Sequence, residues 1–116
     1  MLDGRFGLNQ GFATYHDQFA RPSTRYTAER KGDETTGLAL QWIQKHQDRP
    51  FFLYFAHSFP HVPLFASEGF LDKGPGGLYS DVVEEIDWSV GQIVQTLRDE
   101  GLSKNTLVVF TSDNGP

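Results

Sequence analysis

The order of four segments in the second half of the chain restricts its fold more than any other feature. Residues 51–56, "FFLYFA", form a short apolar run, and residues 106–112, "TLVVFTS", form another. Between them lie a loop rich in proline and glycine at 58–77 and a segment at 79–100 with apolar residues every three or four positions. Short apolar runs are typical of strands buried on both faces, and the periodic segment predicts a helix. Two such strands joined through a helix predict a parallel βαβ unit with a right-handed crossover.

Another helix is predicted over residues 33–47, before the first apolar run. Its larger apolar positions and one histidine share a face: Leu38, Ala39, Trp42, Ile43 and His46. Pro50 ends this helix, because proline pushes the preceding residue out of the helical region. Residues 1–32 show no clear period and are interpreted as mostly loop. Together the segments predict an α/β fold.

The predicted helix at 79–100 carries signals at both ends. Ser80 can cap its start, and Gly101 suits the left-handed position that often follows a helix. Acidic residues load its first half, as the helix dipole prefers. These acids are Asp81, Glu84, Glu85 and Asp87. We interpret them as a face exposed to solvent.

Polar residues follow each predicted strand. His57 and His61 come just after the first strand, and Asp113 and Asn114 come just after the second. Ligands of open α/β sheets bind outside the carboxyl ends of the strands, so these residues should face one crevice. The oxygens of Asp113 and Asn114 suit Ca²⁺ or Mg²⁺ better than zinc. The alternative is a plain turn, since Asp-Asn-Gly is also a common turn sequence.

The two histidines after the first strand are predicted to have different roles. His61 lies between Pro60 and Pro63, which stiffen the backbone around it, and it could donate a proton or a charged hydrogen bond to an anion. The alternative is a loop histidine without a special role, and for His57 this alternative is favoured. The stretch "ARPSTR" suggests a serine nucleophile at Ser23, but no base lies at a recognised spacing.

Composition excludes several functions. The 116 residues carry a net charge of −5 with a pI near 5.2, which argues against a nucleic-acid partner. The absence of cysteine rules out disulfides and a thiol nucleophile within these residues. No apolar run approaches the roughly 20 residues that a membrane span needs.

Three stretches together resemble the sulfatase family of the alkaline phosphatase superfamily. These are "FGLNQGFATYHDQF", "ERKGDETTGLALQWIQKHQDRPFFLYFAHSFPHVPL" and "YSDVVEEIDWSVGQIVQTLRDEGLSKNTLVVFTSDNGP". The resemblance covers about residues 6–116. It implies a partial alkaline-phosphatase-like three-layer α/β/α fold with a mainly parallel sheet, in which residues 1–116 are part of one catalytic domain.

The resemblance also implies a chemistry. In this family the hydrate of a formylglycine, made from an upstream Cys or Ser, attacks the sulfur of a sulfate ester, and Ca²⁺ binds the sulfate. Asp113 and Asn114 match two of the metal ligands, and Ca²⁺ is favoured over Mg²⁺. His61 matches the histidine that contacts the sulfate and is a candidate proton donor to the leaving alcohol.

The chain also departs from the family pattern. The (Cys/Ser)-x-Pro-x-Arg nucleophile motif, the upstream pair of acidic ligands and the later lysine are missing from these residues. We therefore expect an internal fragment of the catalytic domain that is inactive by itself, because it has no attacking group. The alternatives are a phosphoryl or phosphonate ester hydrolase of the same superfamily and a non-catalytic binding module.

Family analogy extends to partners and location. The expected partner is a sulfate-ester small molecule or glycan. The expected compartment is periplasmic, secreted or lysosomal. The substrate and the oligomeric state do not follow from these residues.

Overall fold

The computed structural model of the chain describes residues 7, 9–16, 30–112 and 114. Helix α1 spans Gly32–His46, helix α2 spans Leu78–Asp99, and a 3₁₀ turn spans Ser103–Asn105. Both predicted helices are confirmed, each within one residue at either end.

Helix α1 is stabilised by charged residues near both of its ends and by one buried face. Asp33 and Glu34 lie in its first turn and Lys45 and His46 in its last, so charges of both signs match the helix dipole. One stripe is buried at spacings of three and four, formed by Gly32, Thr36, Ala39 and Ile43. Lys31 at the N-cap makes no side-chain hydrogen bond to the helix. Within the first turn the Asp33 carboxylate accepts from the Glu34 N–H at 2.7 Å, so the Asp33 N–H still needs a partner from elsewhere in the chain.

Helix α2 starts differently from the prediction and ends as predicted. Gly77, with a φ of 69°, is its N-cap, so Ser80 lies inside the first turn and does not cap the helix. At the other end Gly101 has a φ of 70° and donates to the Arg98 carbonyl, while Leu102 donates to the Leu97 carbonyl. This pair of bonds is the Schellman motif that glycine favours.

The predicted parallel sheet is not confirmed, because the described residues contain no β-strand. From Phe51 to Ser58 the chain alternates between half-buried and exposed residues, the period of an extended segment with one covered face. Phe52 and Tyr54 are 75% and 62% exposed, so the prediction of two buried faces is wrong here. A strand is completed by hydrogen bonds to a neighbour, and in the described range no backbone bond joins residues 51–58 to residues 106–112.

The second apolar run is also uncovered. Leu107, Val109 and Phe110 are 88%, 74% and 71% exposed. Within the described residues, no helix is long and apolar enough to cross a membrane.

Helices α1 and α2 pack against each other around a small core. In the part of the chain that the structure describes, the buried apolar side chains are Ala39, Ile43, Phe59, Val82 and Leu97. A comparable number of buried side chains are polar: Thr36, Ser67, Asp81, Glu85 and Ser89. Three of these, Asp81, Glu85 and Ser89, follow one another at intervals of four residues along α2, so they form a polar stripe on one face of this helix.

Candidate functional site

His61 lies on the loop that connects residue 57 to residue 67. Its side chain is exposed, and its Nδ1 lies 2.7 Å from the Val62 carbonyl oxygen. A carbonyl oxygen only accepts, so Nδ1 carries the proton and donates it. The other ring nitrogen, Nε2, is therefore the one available to a ligand. Protonated, it could donate to an anion, as predicted for this residue.

The predicted metal ligands are only partly within the described residues. Asp113 lies outside them. Asn114 is exposed, and its backbone carbonyl accepts a hydrogen bond of 2.7 Å from the Ser112 hydroxyl. Among the described residues no hydrogen bond or ring contact joins Asn114 to His61, so their shared crevice remains a prediction. Nor does the described range contain a group of three or more histidines and acids arranged to hold a metal ion.

Glu85 occupies the centre of a polar cluster that was not predicted from the sequence. The residue is 1% exposed, which contradicts its assignment to a solvated face. Its Oε1 accepts from the Asp33 backbone N–H at 3.0 Å and from the Ser67 hydroxyl at 2.5 Å. Its Oε2 accepts from the Ser67 backbone N–H at 2.8 Å. Glu85 thus supplies the partner of the Asp33 N–H in the first turn of α1, at the positive end of this helix.

His57 belongs to the same cluster, although it was predicted to be a loop histidine without a special role. Its Nδ1 accepts from the Phe59 backbone N–H at 3.4 Å, and its Nε2 lies 3.5 Å from the Ser89 hydroxyl. Ser89 lies 2.6 Å from the Thr36 hydroxyl, which donates to the Gly32 carbonyl at 2.7 Å. One donor assignment fits every bond: His57 donates to Ser89, Ser89 to Thr36, and Thr36 to Gly32.

This assignment requires a neutral imidazole with its proton on Nε2. The electrostatics agree, because burial lowers the pKa of His57 below its ordinary value of 6.5. The negative charge of Glu85 opposes this shift without cancelling it. His57 is therefore placed to bridge its own loop to α2 as an uncharged group.

Asp81 is a second buried acid on α2, and it also contradicts the predicted solvated face. It is 0% exposed. Its carboxylate accepts from the backbone N–H groups of Gly74 at 2.6 Å, Asp72 at 2.9 Å and Lys73 at 3.2 Å. The bond from Gly74, followed by those from Asp72 and Lys73, holds the pKa of Asp81 below its usual value of 3.8, although burial opposes the shift. Asp81 therefore fixes the turn that precedes α2.

A sequence signal for this cluster exists in the spacing of three polar residues. Asp81, Glu85 and Ser89 recur every four residues, which places them on one helical face beside the buried Val82. The four acids were nevertheless predicted to face solvent, because acidic residues generally lie at the surface. The structure adds a constraint that the sequence does not show, since a Cβ at Gly32 would lie 2.5 Å from the Glu85 Oε1.

Comparison with known proteins identifies the family. The family model described as Sulfatase matches residues 4–116, nearly the entire chain. The chain belongs to the sulfatase family. Membership implies an α/β fold of the alkaline-phosphatase type.

The chain is similar to several curated sulfatases. N-acetylgalactosamine-6-sulfatase of Mus musculus is 45% identical over 104 residues, which cover 87% of this chain and 20% of that protein. Steryl-sulfatase and arylsulfatase D of Homo sapiens are 46% and 40% identical over 77 residues, which cover 66% of this chain and 13% of each protein. The chain thus spans a fifth or less of the length of these relatives.

Proposed function

We propose that this chain supplies part of the active centre of a sulfuric ester hydrolase. The observation that carries the proposal is the family match over residues 4–116, together with relatives that are named as sulfatases. The substrate class would be a sulfate ester, either a small molecule or a glycan. By family analogy the enzyme would work in a periplasmic, secreted or lysosomal compartment.

His61 is assigned the role of proton donor. As the S–O bond to the leaving alcohol breaks, its oxygen gains negative charge and needs a proton. The hydrogen bond from Nδ1 to Val62 leaves Nε2 directed away from the backbone contact, so Nε2 is the nitrogen assigned to this transfer. Its exposure in the described residues supports access by a substrate.

Asp113 and Asn114 are assigned to a calcium ion. A carboxylate and an amide carbonyl match the hard oxygen ligands of Ca²⁺, which takes six to eight oxygens. These two residues supply fewer than half of the six to eight oxygens, so other groups would supply the remaining ligands. When bound, the ion would neutralise charge on the sulfate oxygens.

The nucleophile is assigned to a formylglycine outside these residues. The (Cys/Ser)-x-Pro-x-Arg motif is absent from the 116 positions, so the chain by itself is expected to be inactive. The three-layer arrangement with a mainly parallel sheet is part of the same proposal. In it, the uncovered runs at 51–56 and 106–112 would be strands.

A paired assay tests the assignment. The longest polypeptide encoded around these residues, matured so that the nucleophile is formylglycine, is assayed with an aryl sulfate and with the matching aryl phosphate. We expect turnover of the sulfate, a reduction of kcat of about 100-fold or more in His61→Ala, and little change in His16→Ala, an exposed histidine elsewhere. Preference for the phosphate would favour the phosphoryl hydrolase, and turnover of neither would contradict a catalytic role.

Calorimetry with Ca²⁺ tests the metal assignment on the same polypeptide. We expect Asn114→Ala to weaken calcium binding, whereas Asn105→Ala, an exposed asparagine in the 3₁₀ turn, leaves it unchanged. Equal affinities for both variants would refute Asn114 as a ligand.

A further inference from the structure

The loop that carries His61 is anchored where it leaves the first apolar run. The Phe59 N–H donates to His57 Nδ1, and His57 Nε2 lies 3.5 Å from the Ser89 hydroxyl of α2. Phe59 is 7% exposed, with its ring 6.1 Å from the ring of His57 and 6.4 Å from that of Phe65. The start of the loop is therefore tied to α2 through the contact of His57 with Ser89, and ring packing holds Phe59 against His57 and Phe65.

The loop is anchored again where it approaches α2. Ser67 is 1% exposed, and both its backbone N–H and its hydroxyl donate to the Glu85 carboxylate. Hydrogen bonds to a charged acceptor are shorter and stronger than those between neutral groups. The end of the loop is therefore held by two such bonds to one side chain.

Both anchors lie on neighbouring turns of one helix. Glu85 and Ser89 are four residues apart on α2, and both contact the first turns of α1 through Asp33 and Thr36. The intervening residues 58–66 include His61 and are exposed or half-buried apart from Phe59. The position of His61 consequently depends on how firmly the two ends of the loop are held.

We propose that Glu85 and Ser89 act together as a clamp on both ends of the 58–66 loop and thereby position His61. They are positioning residues, since neither is assigned a contact with substrate. The inference rests on the proposed function for the chemical role of His61. The clamp itself rests on the hydrogen bonds of Ser67 and His57 alone.

The first test is Glu85→Gln, with Glu84→Gln as the matched control. Glutamine keeps the size of Glu85 but cannot accept from Asp33, the Ser67 N–H and the Ser67 hydroxyl in the same arrangement, because one oxygen becomes an NH₂ donor. Glu84 is the adjacent, exposed glutamate of the same helix. Both variants are made in the matured polypeptide that is assayed for sulfatase activity.

We expect Glu85→Gln to lower kcat by about 10- to 100-fold with little change in KM, because a small misplacement of a reacting group has this effect. In a His61→Ala background the same substitution should lower kcat by less than about twofold, since its effect acts through His61. Glu84→Gln should leave kcat unchanged in both backgrounds. Equal reductions by Glu85→Gln with and without His61 would overturn the proposal.

Amide hydrogen-exchange rates test the clamp independently of enzyme activity. Glu85→Gln should accelerate exchange at Ser67, whose backbone N–H donates to Glu85, by about 10-fold or more, while the middle of α1 keeps its protection. Uniform acceleration over the chain, or none in the loop, would overturn the clamp.

If His61→Ala retains full kcat, the proposed function of His61 fails, and the exchange result alone then decides the clamp. If Glu85→Gln does not fold, Ser89→Ala, which removes a single hydroxyl, is measured in the same way and must accelerate exchange at Phe59.

Discussion

Replacing Gly32 with alanine would place a methyl group against the Glu85 carboxylate. The new Cβ would lie 2.5 Å from Glu85 Oε1, 2.9 Å from its Cδ and 3.1 Å from His57 Cε1. A Cβ essentially never lies within 3.0 Å of a heavy atom of a distant residue, so the carboxylate at the end of the Glu85 side chain must shift. The shift is costly because Glu85 is 1% exposed and accepts three hydrogen bonds. The displaced oxygen is the one that accepts from Asp33 and from the Ser67 hydroxyl.

Two effects of opposite sign decide the outcome. Alanine is favoured over glycine inside a helix by about 1 kcal/mol. A hydrogen bond to a charged group contributes about 1.5–3 kcal/mol, and two such bonds depend on this oxygen. The loss outweighs the gain, so we expect Gly32→Ala to lower the free energy of unfolding by about 2 kcal/mol or more.

Gly37 is the matched control, because it lies in the same helix and a Cβ there meets nothing within 4 Å. Gly37→Ala should raise the free energy of unfolding by about 0.5–1 kcal/mol. Urea denaturation followed by tryptophan fluorescence, with Trp42 and Trp88 as reporters, compares wild type and both variants in the same polypeptide. A Gly32→Ala variant as stable as Gly37→Ala would refute the placement of Glu85 against the start of α1.

Three further predictions concern buried groups and one exposed run. The folded-state pKa of His57 lies below 6.5, so the unfolded chain binds more protons there and the free energy of unfolding should fall as pH drops below about 6.5; His57→Gln should flatten this decline in urea melts. The pKa of Asp81 is held below 3.8, so its stabilisation is present above that pH and lost below it; Asp81→Asn should remove this step from acid titrations followed by circular dichroism. Val82→Thr should cost about 1–3 kcal/mol in thermal melts because it buries a hydroxyl, whereas Val109→Thr, at a site 74% exposed, should change stability by under about 0.5 kcal/mol.

Each of these predictions has a contrary result. A decline below pH 6.5 that persists in His57→Gln would assign it to another group. An unchanged acid transition in Asp81→Asn would contradict the bonds from Gly74 and its neighbours. Equal costs at Val82 and Val109 would contradict the difference in their burial.

The helices were predictable because their causes are local. The periodicity of apolar residues, Pro50 and Gly101 set α1 and α2 to within one residue. The family was equally accessible, since the order of short motifs along the chain led to it and the match over residues 4–116 confirms it. The roles of His61, Asp113 and Asn114 remain predictions.

Residues 51–56 and 106–112 show the limit of local reasoning about strands. Their composition favours strands, but a strand is completed only by hydrogen bonds to a neighbour. In the described part of the chain neither run has one, and Phe52 and Val109 are exposed. The apolar pattern thus shows which residues can be covered without showing what covers them.

The sequence by itself determined the two helices, the C-terminal end of α2 and the family, because amphipathic period, the signal of Gly101 and motif order are properties of neighbouring positions. Only the tertiary structure decided that Glu85 is a buried acceptor and that His57 is its uncharged neighbour. Glu85 and Ser67 are 18 residues apart, and Glu85 and Asp33 are 52 apart. An acid is buried only where donors from distant segments replace its hydration, so its burial depends on how those segments meet in space.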